Sequence, residues 1–369
     1  MASKVYFTDF CCVNGETLPQ KLARLVMTAG MDKIDFQDKY VAIKIHFGEL
    51  GNMAHLRPGY ARVIVDLVKE LGGKPFLTDA NTMYVGSRKN ALDHIETAYL
   101  NGFTPYTTGC HVIIADGLKG TDEVAVPVAG GEYVQNAMIG RAVMDADIVI
   151  SLNHFKGHEE AGFGGALKNL GMGCGSNQGK RDMHSAGRPV IDPDKCVACG
   201  ACAKICAHNG PQIQADSGKM KINWVNCMGC GRCLDVCPMG AIFHSHENAV
   251  RMLNYKIAEY AKAVVDGRPN FHISLVRDVS PYCDCHAEND LPIVPDVGMF
   301  ASFDPVALDL ACAEAVLKQP VNPGSKLDKA NRPDLDHFTA DFPISDWRAQ
   351  ILHGKKIGLG EDSYELITI

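Results

Sequence analysis

The chain has 369 residues, 46% hydrophobic and 21% charged, with a formal net charge of −7 and fifteen cysteines. Its length corresponds to two or three domains, and its net charge and lack of a Lys/Arg block give no electrostatic reason to expect nucleic acid or an anionic membrane as a partner. MASKVYFTDF lacks a basic, then apolar leader, and no stretch of about 18 apolar residues occurs, so a cytoplasmic protein without a membrane span is expected.

In chain order, VYFTDF (5 to 10), VAIKIHF (41 to 47), KPFLTDA (74 to 80), HVIIADG (111 to 117) and DIVISLNHF (147 to 155) read as strands. Several are continuously apolar, as in a sheet buried on both faces. Between them, Tyr60, Val63, Ile64, Leu67, Val68 and Leu71 recur at helical spacing after Pro58, and Gly72-Gly73 closes that helix. The alternation predicts an α/β fold: a mainly parallel sheet with helices on both faces.

The strand ending at Phe155 leads into HFKGHEEAGFGGALKNLGMGCG, His154 to Gly175. Nucleotide fingerprints fail here: GFGGAL has Leu167 where G-x-G-x-x-G needs its third glycine, and CGSNQGKR has Cys174 and Arg181 where a Walker A loop needs Gly and Ser/Thr. Ligands of open α/β sheets sit beyond the carboxyl ends of strands, where helix amino termini offer NH groups to anions. One strand end delivers His154, Lys156 and His158, followed by a short helix with Lys168 and Asn169. KIHFGELGN brings Lys44, His46, Glu49 and Asn52 to the same edge, and TDANTMYVGSR brings Asp79, Asn81 and Arg88. Polar groups crowding three strand ends predict a pocket for a small anionic ligand, with Lys156 and Lys168 neutralising charge and His154 or His158 moving protons.

Eight cysteines follow in CVACGACAKIC and CMGCGRCLDVCP, both C-x2-C-x2-C-x3-C. In such runs three thiolates bind one cubane and the fourth reaches the other, so Cys196, Cys199, Cys202 and Cys237 are expected on one [4Fe-4S] cluster and Cys227, Cys230, Cys233 and Cys206 on a second. A zinc ribbon needs only four cysteines. Gly200, Gly229 and Gly231 suit a backbone wrapped closely around a cluster. The segment resembles the two-cluster bacterial ferredoxins over about residues 190 to 245. It departs after Cys206, where Ala207 replaces the proline that follows Cys237 and Ile213 comes two residues late, which predicts a longer turn there.

Helical spacing resumes over 251 to 265, FHISLV (271 to 276) reads as a strand, and Asp304-Pro305 opens a helix through Lys318. The expected organisation is one α/β domain, residues 1–189 and 246–369, interrupted by a small α+β ferredoxin-like insert at 190–245. Cys283 and Cys285 form a C-x-C beside His286, and with Cys174 they are candidates for an additional metal, a redox dithiol or contact with a bound cofactor. Cys110 and Cys312 read as core residues.

NHFKGHEEAGFGGALKNLGMGC, KIHFGELGN, and CDC followed by VGMFASFDPVALD resemble the uncharacterised iron-sulfur-centre proteins of domain of unknown function family 362. That resemblance implies cluster binding and redox chemistry without an established reaction. The combined expectation is an oxidoreductase that takes electrons from a partner protein such as a ferredoxin or reductase and passes them through two [4Fe-4S] clusters to a small anionic substrate or cofactor. Its competitor is a non-enzymatic electron carrier or assembly partner that docks another protein.

Overall fold

The computed structural model describes residues 2–13, 15–83 and 85–369. The strands of its main sheet are β1 (Ser3–Thr8), β2 (Tyr40–Lys44), β3 (Lys74–Asp79), β4 (Val112–Ile114), β5 (Ile148–His154), β6 (Asn270–Val276), β7 (Gly298–Ser302) and β8 (Tyr364–Thr368). Their order is β8-β1-β7-β6-β5-β2-β3-β4. Only β7 runs against the rest, so the sheet is mainly parallel as expected. Both neighbours of β1 come from beyond residue 246, so the two flanks of the cysteine-rich segment build a single sheet.

Alternation along each strand divides the apolar residues between two cores. Val41 and Ile43 of β2, Ile148, Ile150 and Leu152 of β5, and Phe271 and Ile273 of β6 face helices Leu18–Thr28 and Pro58–Glu70. Ala42 and Val149 face the opposite core, made by helices Ala166–Cys174, Ala249–Val265, Pro305–Leu317 and Trp347–Lys356. The helix signals act where the sequence places them. Pro58 opens its helix and Gly72, at φ 87°, follows its end, while the Asp304 carboxylate accepts the NH groups of Val306 and Ala307.

The glycine-rich stretch is shaped by close approach. A Cβ on Gly171 would lie 2.2 Å from the Ile257 carbonyl oxygen, one on Gly157 2.4 Å from that of Pro281, and one on Gly165 2.3 Å from the Asp309 carboxylate. These glycines let helix Ala166–Cys174 lie directly against helix Ala249–Val265 and beneath the strand ends. Lys156–His158 and Gly162–Gly164 pair as a short hairpin, where a plain turn was expected.

Residues 189–244 form two two-stranded antiparallel sheets and two short helices, Ala201–Ile205 and Arg232–Asp235. They have a small core of their own, Cys196, Cys202, Met220, Cys233, Ala241 and Ile242. Among the described residues no helix is long and apolar enough to cross a membrane.

Candidate functional site

The strand order reverses between β2 and β5, and a crevice opens beyond the carboxyl ends of the strands at such a switch point. A partly enclosed cavity lies there. Of the residues nominated from sequence, His46, Asp79, Arg88, Lys156, Lys168, Asn169, Cys283 and Cys285 line it. The two cysteines arrive from the segment after β6, a fourth strand end at the same edge.

Beneath the cavity runs a buried polar chain. Lys44 Nζ lies 2.8 Å from Asp79 and donates to Asn169 at 2.7 Å, and Asn169 donates to Asn153 at 2.8 Å. Burial alone would raise the Asp79 pKa, but Lys44 opposes it and holds the carboxyl well below its usual range. Arg88, 1% exposed, meets Glu49 at 3.1 Å and Asp79 at 3.5 Å. Its Nη2 has no partner among the described residues, which leaves one guanidinium donor for a ligand.

The C-x-C turn is fastened at its middle. The NH of His286 donates to the Cys283 carbonyl at 3.0 Å, closing the turn. The buried Asp284 carboxylate meets His154 Nδ1 at 2.9 Å and Lys156 Nζ at 3.1 Å, while its carbonyl accepts from the Glu49 NH at 2.8 Å. Lys168 Nζ donates to Cys283 Sγ at 3.3 Å. Lys168 is therefore a half-buried, partnered lysine, not an exposed one. A hydrogen bond from Cys285 holds the Cys283 thiol well below its usual pKa, against burial, with Lys168 and Lys156 adding to the effect. Burial opposes the Lys168 charge, yet Cys283, Cys285 and Glu159 together raise its pKa.

Other nominated residues stand outside the cavity lining. His154 spends its second ring nitrogen on the Arg277 carbonyl at 2.8 Å. His158 is buried, pushed down to about 4 by desolvation, and its Nδ1 accepts the NH groups of Glu160 and Ala161. Asn52 donates to the His286 carbonyl and Asn81 to Asp116. Cys174 belongs to the core and does not line the cavity with Cys283 and Cys285, and burial pushes its thiol up to about 11. The expected anion contact at the start of helix Ala166–Cys174 is taken internally, because Asp309 accepts the NH groups of Ala166 and Leu167 at 2.7 and 2.9 Å. Lys180 lines the cavity and was missed; its only signal was the lysine in the rejected loop CGSNQGKR.

The sulfurs of the cysteine-rich segment fall into two groups. Cys196, Cys199, Cys202 and Cys237 surround one cavity with Met220, Ala241 and Ile242. The NH groups of Ala198 and Ala241 donate to Cys196 and Cys237 at 3.4 and 3.3 Å, and those of Gly210 and Gly229 to Cys206 and Cys227 at 3.3 and 3.4 Å. Gly200, Gly229 and Gly231 all adopt positive φ. Among the described residues no three His, Cys, Asp or Glu groups are placed to hold a single metal ion. The cysteine-rich segment touches the C-x-C turn through one side chain. Arg232, between Cys230 and Cys233, lies 2.6 Å from His286 Nδ1 and donates to the Cys285 carbonyl at 3.3 Å.

Residues 41–314 match the family described as Domain of unknown function (DUF362). A thylakoid-associated protein of Synechocystis sp. is 26% identical over 156 residues, 38% of this chain and 42% of that protein, so the chain spans less than half the length of this curated relative. Among solved structures, the lactate racemase apoprotein from Thermoanaerobacterium thermosaccharolyticum aligns over 86% of this chain and 58% of its own, with 10% identity and a TM-score of 0.39. A Thermotoga maritima protein aligns over 80% and 57%, with 13% identity and a TM-score of 0.40.

Proposed function

The chain belongs to the DUF362 family, and within it we propose an iron-sulfur oxidoreductase that passes electrons through two [4Fe-4S] clusters to a small anionic substrate or cofactor in the strand-end cavity. Such clusters, when bound, exchange single electrons at low potential. The donor set fits them. A cubane takes one thiolate per iron, which calls for cysteines ringed around a space, and Cys237 joins Cys196, Cys199 and Cys202 around one cavity. Backbone NH groups aimed at Cys196, Cys206, Cys227 and Cys237 would stabilise thiolate charge. Cys206, Cys227, Cys230 and Cys233 are the corresponding second set.

The observation that carries the reading is the contact of Arg232, which lies between Cys230 and Cys233, with the Cys285 carbonyl and His286, because it links the cysteine-rich segment to the turn that lines the cavity. Within the cavity, Arg88, Lys168 and Lys180 supply the positive charge that would bind and orient an anion. Asp79 and Asn169 fix the floor on which it would rest. A ferredoxin or reductase would deliver the electrons.

A second reading, an electron carrier or assembly partner that docks another protein, is favoured by apolar side chains exposed on the cysteine-rich segment: Val197, Trp224, Phe243 and Val225, the last 90% exposed. Anaerobic purification followed by iron and acid-labile sulfide analysis tests what the two readings share, with about eight of each expected per chain. Absence of both after reconstitution would overturn both. Saturable binding of inorganic phosphate or sulfate at the cavity, lost on substitution of Arg88, separates the oxidoreductase from the carrier.

A further inference from the structure

We propose that Cys283 and Cys285 are a redox-active dithiol that closes to a disulfide across their turn and exchanges an electron pair with the ligand in the cavity. The electron source for this couple rests on the iron-sulfur reading above; the dithiol itself rests on the geometry of the turn.

The hydrogen bond from the His286 NH to the Cys283 carbonyl puts the two cysteines at the first and third corners of one turn. Alternate corners of a tight turn lie within the roughly 4.4–6.8 Å Cα separation that a disulfide requires. Cys285 is the leading influence that lowers the Cys283 thiol, as expected of two sulfurs held close in one turn. Both side chains line the cavity, so a ligand there can reach them. The turn between them is held fast: Asp284 is gripped by His154 and Lys156, its carbonyl by Glu49, and His286 by Glu159 at 3.0 Å.

The electrostatic surroundings favour the thiolate on which exchange depends. Charged or titratable groups facing Cys283 are Lys168 from the helix below, Lys156 and His158 from the hairpin, His46 from the end of β2, and Cys285 and His286 in its own turn. At the other buried thiols Cys110, Cys174 and Cys312 desolvation prevails and pushes the pKa upward, even beside Lys69 at Cys110 and Lys44 at Cys174, which is the environment of an inert packing cysteine.

The step balances as follows. The Cys283 thiolate and the Cys285 thiol form one S–S bond, releasing two electrons and the Cys285 proton. The electron pair passes to an anionic two-electron acceptor bound in the cavity. Opening the disulfide takes back two electrons and returns the proton to Cys285; on the iron-sulfur reading, clusters held by the cysteine-rich segment would supply those electrons one at a time. A dithiol here would convert one-electron delivery into two-electron chemistry.

The test equilibrates the anaerobically purified full chain in glutathione buffers of varied ratio, quenches with acid, alkylates and digests with trypsin. Iron and sulfide are measured on the same preparation. The peptide running from Asp278 to Lys318 also contains Cys312, which serves as an internal control. In oxidising buffer the expected peptide has one alkyl group, on Cys312, and is two hydrogens lighter; in reducing buffer it has three. Cys283→Ser and Cys285→Ser should each abolish the lighter species. Lys168→Ala should slow alkylation of Cys283 at neutral pH by about tenfold, an effect a merely structural role would not produce. Three alkyl groups at every glutathione ratio, or stoichiometric zinc shielding both thiols, would overturn the proposal. A chain that forms the disulfide yet never holds iron would instead overturn the iron-sulfur reading and leave the dithiol standing.

Discussion

His154 lies 2.9 Å from both oxygens of Asp284, and the carboxylate it holds is the middle residue of the C-x-C turn. With its other nitrogen on the Arg277 carbonyl, the imidazole has no atom left for a ligand's proton. His154, nominated from sequence as a proton carrier, is on this geometry a positioning residue. Asp284→Ala would leave Lys156 and His154 buried without their carboxylate, a class of change that costs about 3–5 kcal/mol. Denaturant unfolding should register that loss, with Asp284→Asn intermediate; an unchanged midpoint would mean that the turn is held by its backbone alone.

Asp309 sets the pH dependence of the opposite side of the cavity floor. Burial pushes its carboxyl up to about 7, against the pull of the Leu167 and Ala166 NH groups. The folded state therefore binds this proton more tightly than the unfolded chain does, so the contribution is most favourable below the unfolded value of about 4 and declines as pH rises toward 7. Asp284, Asp79 and Glu159 have depressed values and act in the other sense, stabilising above about pH 4 and failing on acidification. Asp309→Asn loses one NH acceptor at every pH but removes the titration. Its unfolding free energy relative to wild type should improve between pH 5 and pH 8; a constant difference would refute the assignment.

The parts legible in sequence were those encoded by local period and spacing. Continuous apolar runs announced β2, β3 and β5, and Pro58 and Gly72 bracketed their helix. What escaped depends on partners far along the chain. Nothing in GMFAS marks β7 as antiparallel, since that direction follows from pairing with both β1 and β6. Strand β8 is half-exposed at the sheet edge and lacks a buried apolar run. The helix start at Ala166 looked open to anions because its capping carboxylate, Asp309, lies more than a hundred residues later. Cys174 shares a residue type with the turn cysteines, but only the fold reveals that it faces the core.

Gly171 carries a packing prediction. An added methyl group would sit 2.2 Å from the Ile257 carbonyl, a backbone atom that cannot turn aside. Gly171→Ala should destabilise by about 1–3 kcal/mol despite alanine's better helix propensity. Gly59, on helix Pro58–Glu70 with open space at its Cβ position, is the control. Gly59→Ala should be neutral or stabilising by up to about 1 kcal/mol. Equal behaviour of the two variants in thermal unfolding would contradict the close helix contact.

Cys237→Ser tests the crossed ligand sets. If Cys237 completes the group of Cys196, Cys199 and Cys202, the variant should lose about half its iron and sulfide while Cys227, Cys230 and Cys233 retain theirs. Resistance to alkylation, mapped by peptide, reports which cysteines remain protected. Exposure of Cys227, Cys230 and Cys233, with Cys196, Cys199 and Cys202 still shielded, would require uncrossed sets.

Lys168→Ala separates the ligand cavity from the fold. The ammonium balances a thiolate, and without it Cys283 can take up a proton, so no charge is stranded in the interior as it would be at Asp284. Iron content and melting temperature should therefore stay near wild type. Binding of inorganic phosphate, measured by calorimetry, should weaken by about tenfold or more, because a charged donor in a partly desolvated site contributes on the order of 1.5–3 kcal/mol. Arg88→Lys should weaken it as well, since the donor at Nη2 that lacks a partner would be lost. Joint loss of iron and stability in Lys168→Ala would make the lysine a prop beside the cysteine-rich segment. Intact phosphate binding together with undiminished electron transfer would remove the cavity from the reaction and favour the carrier.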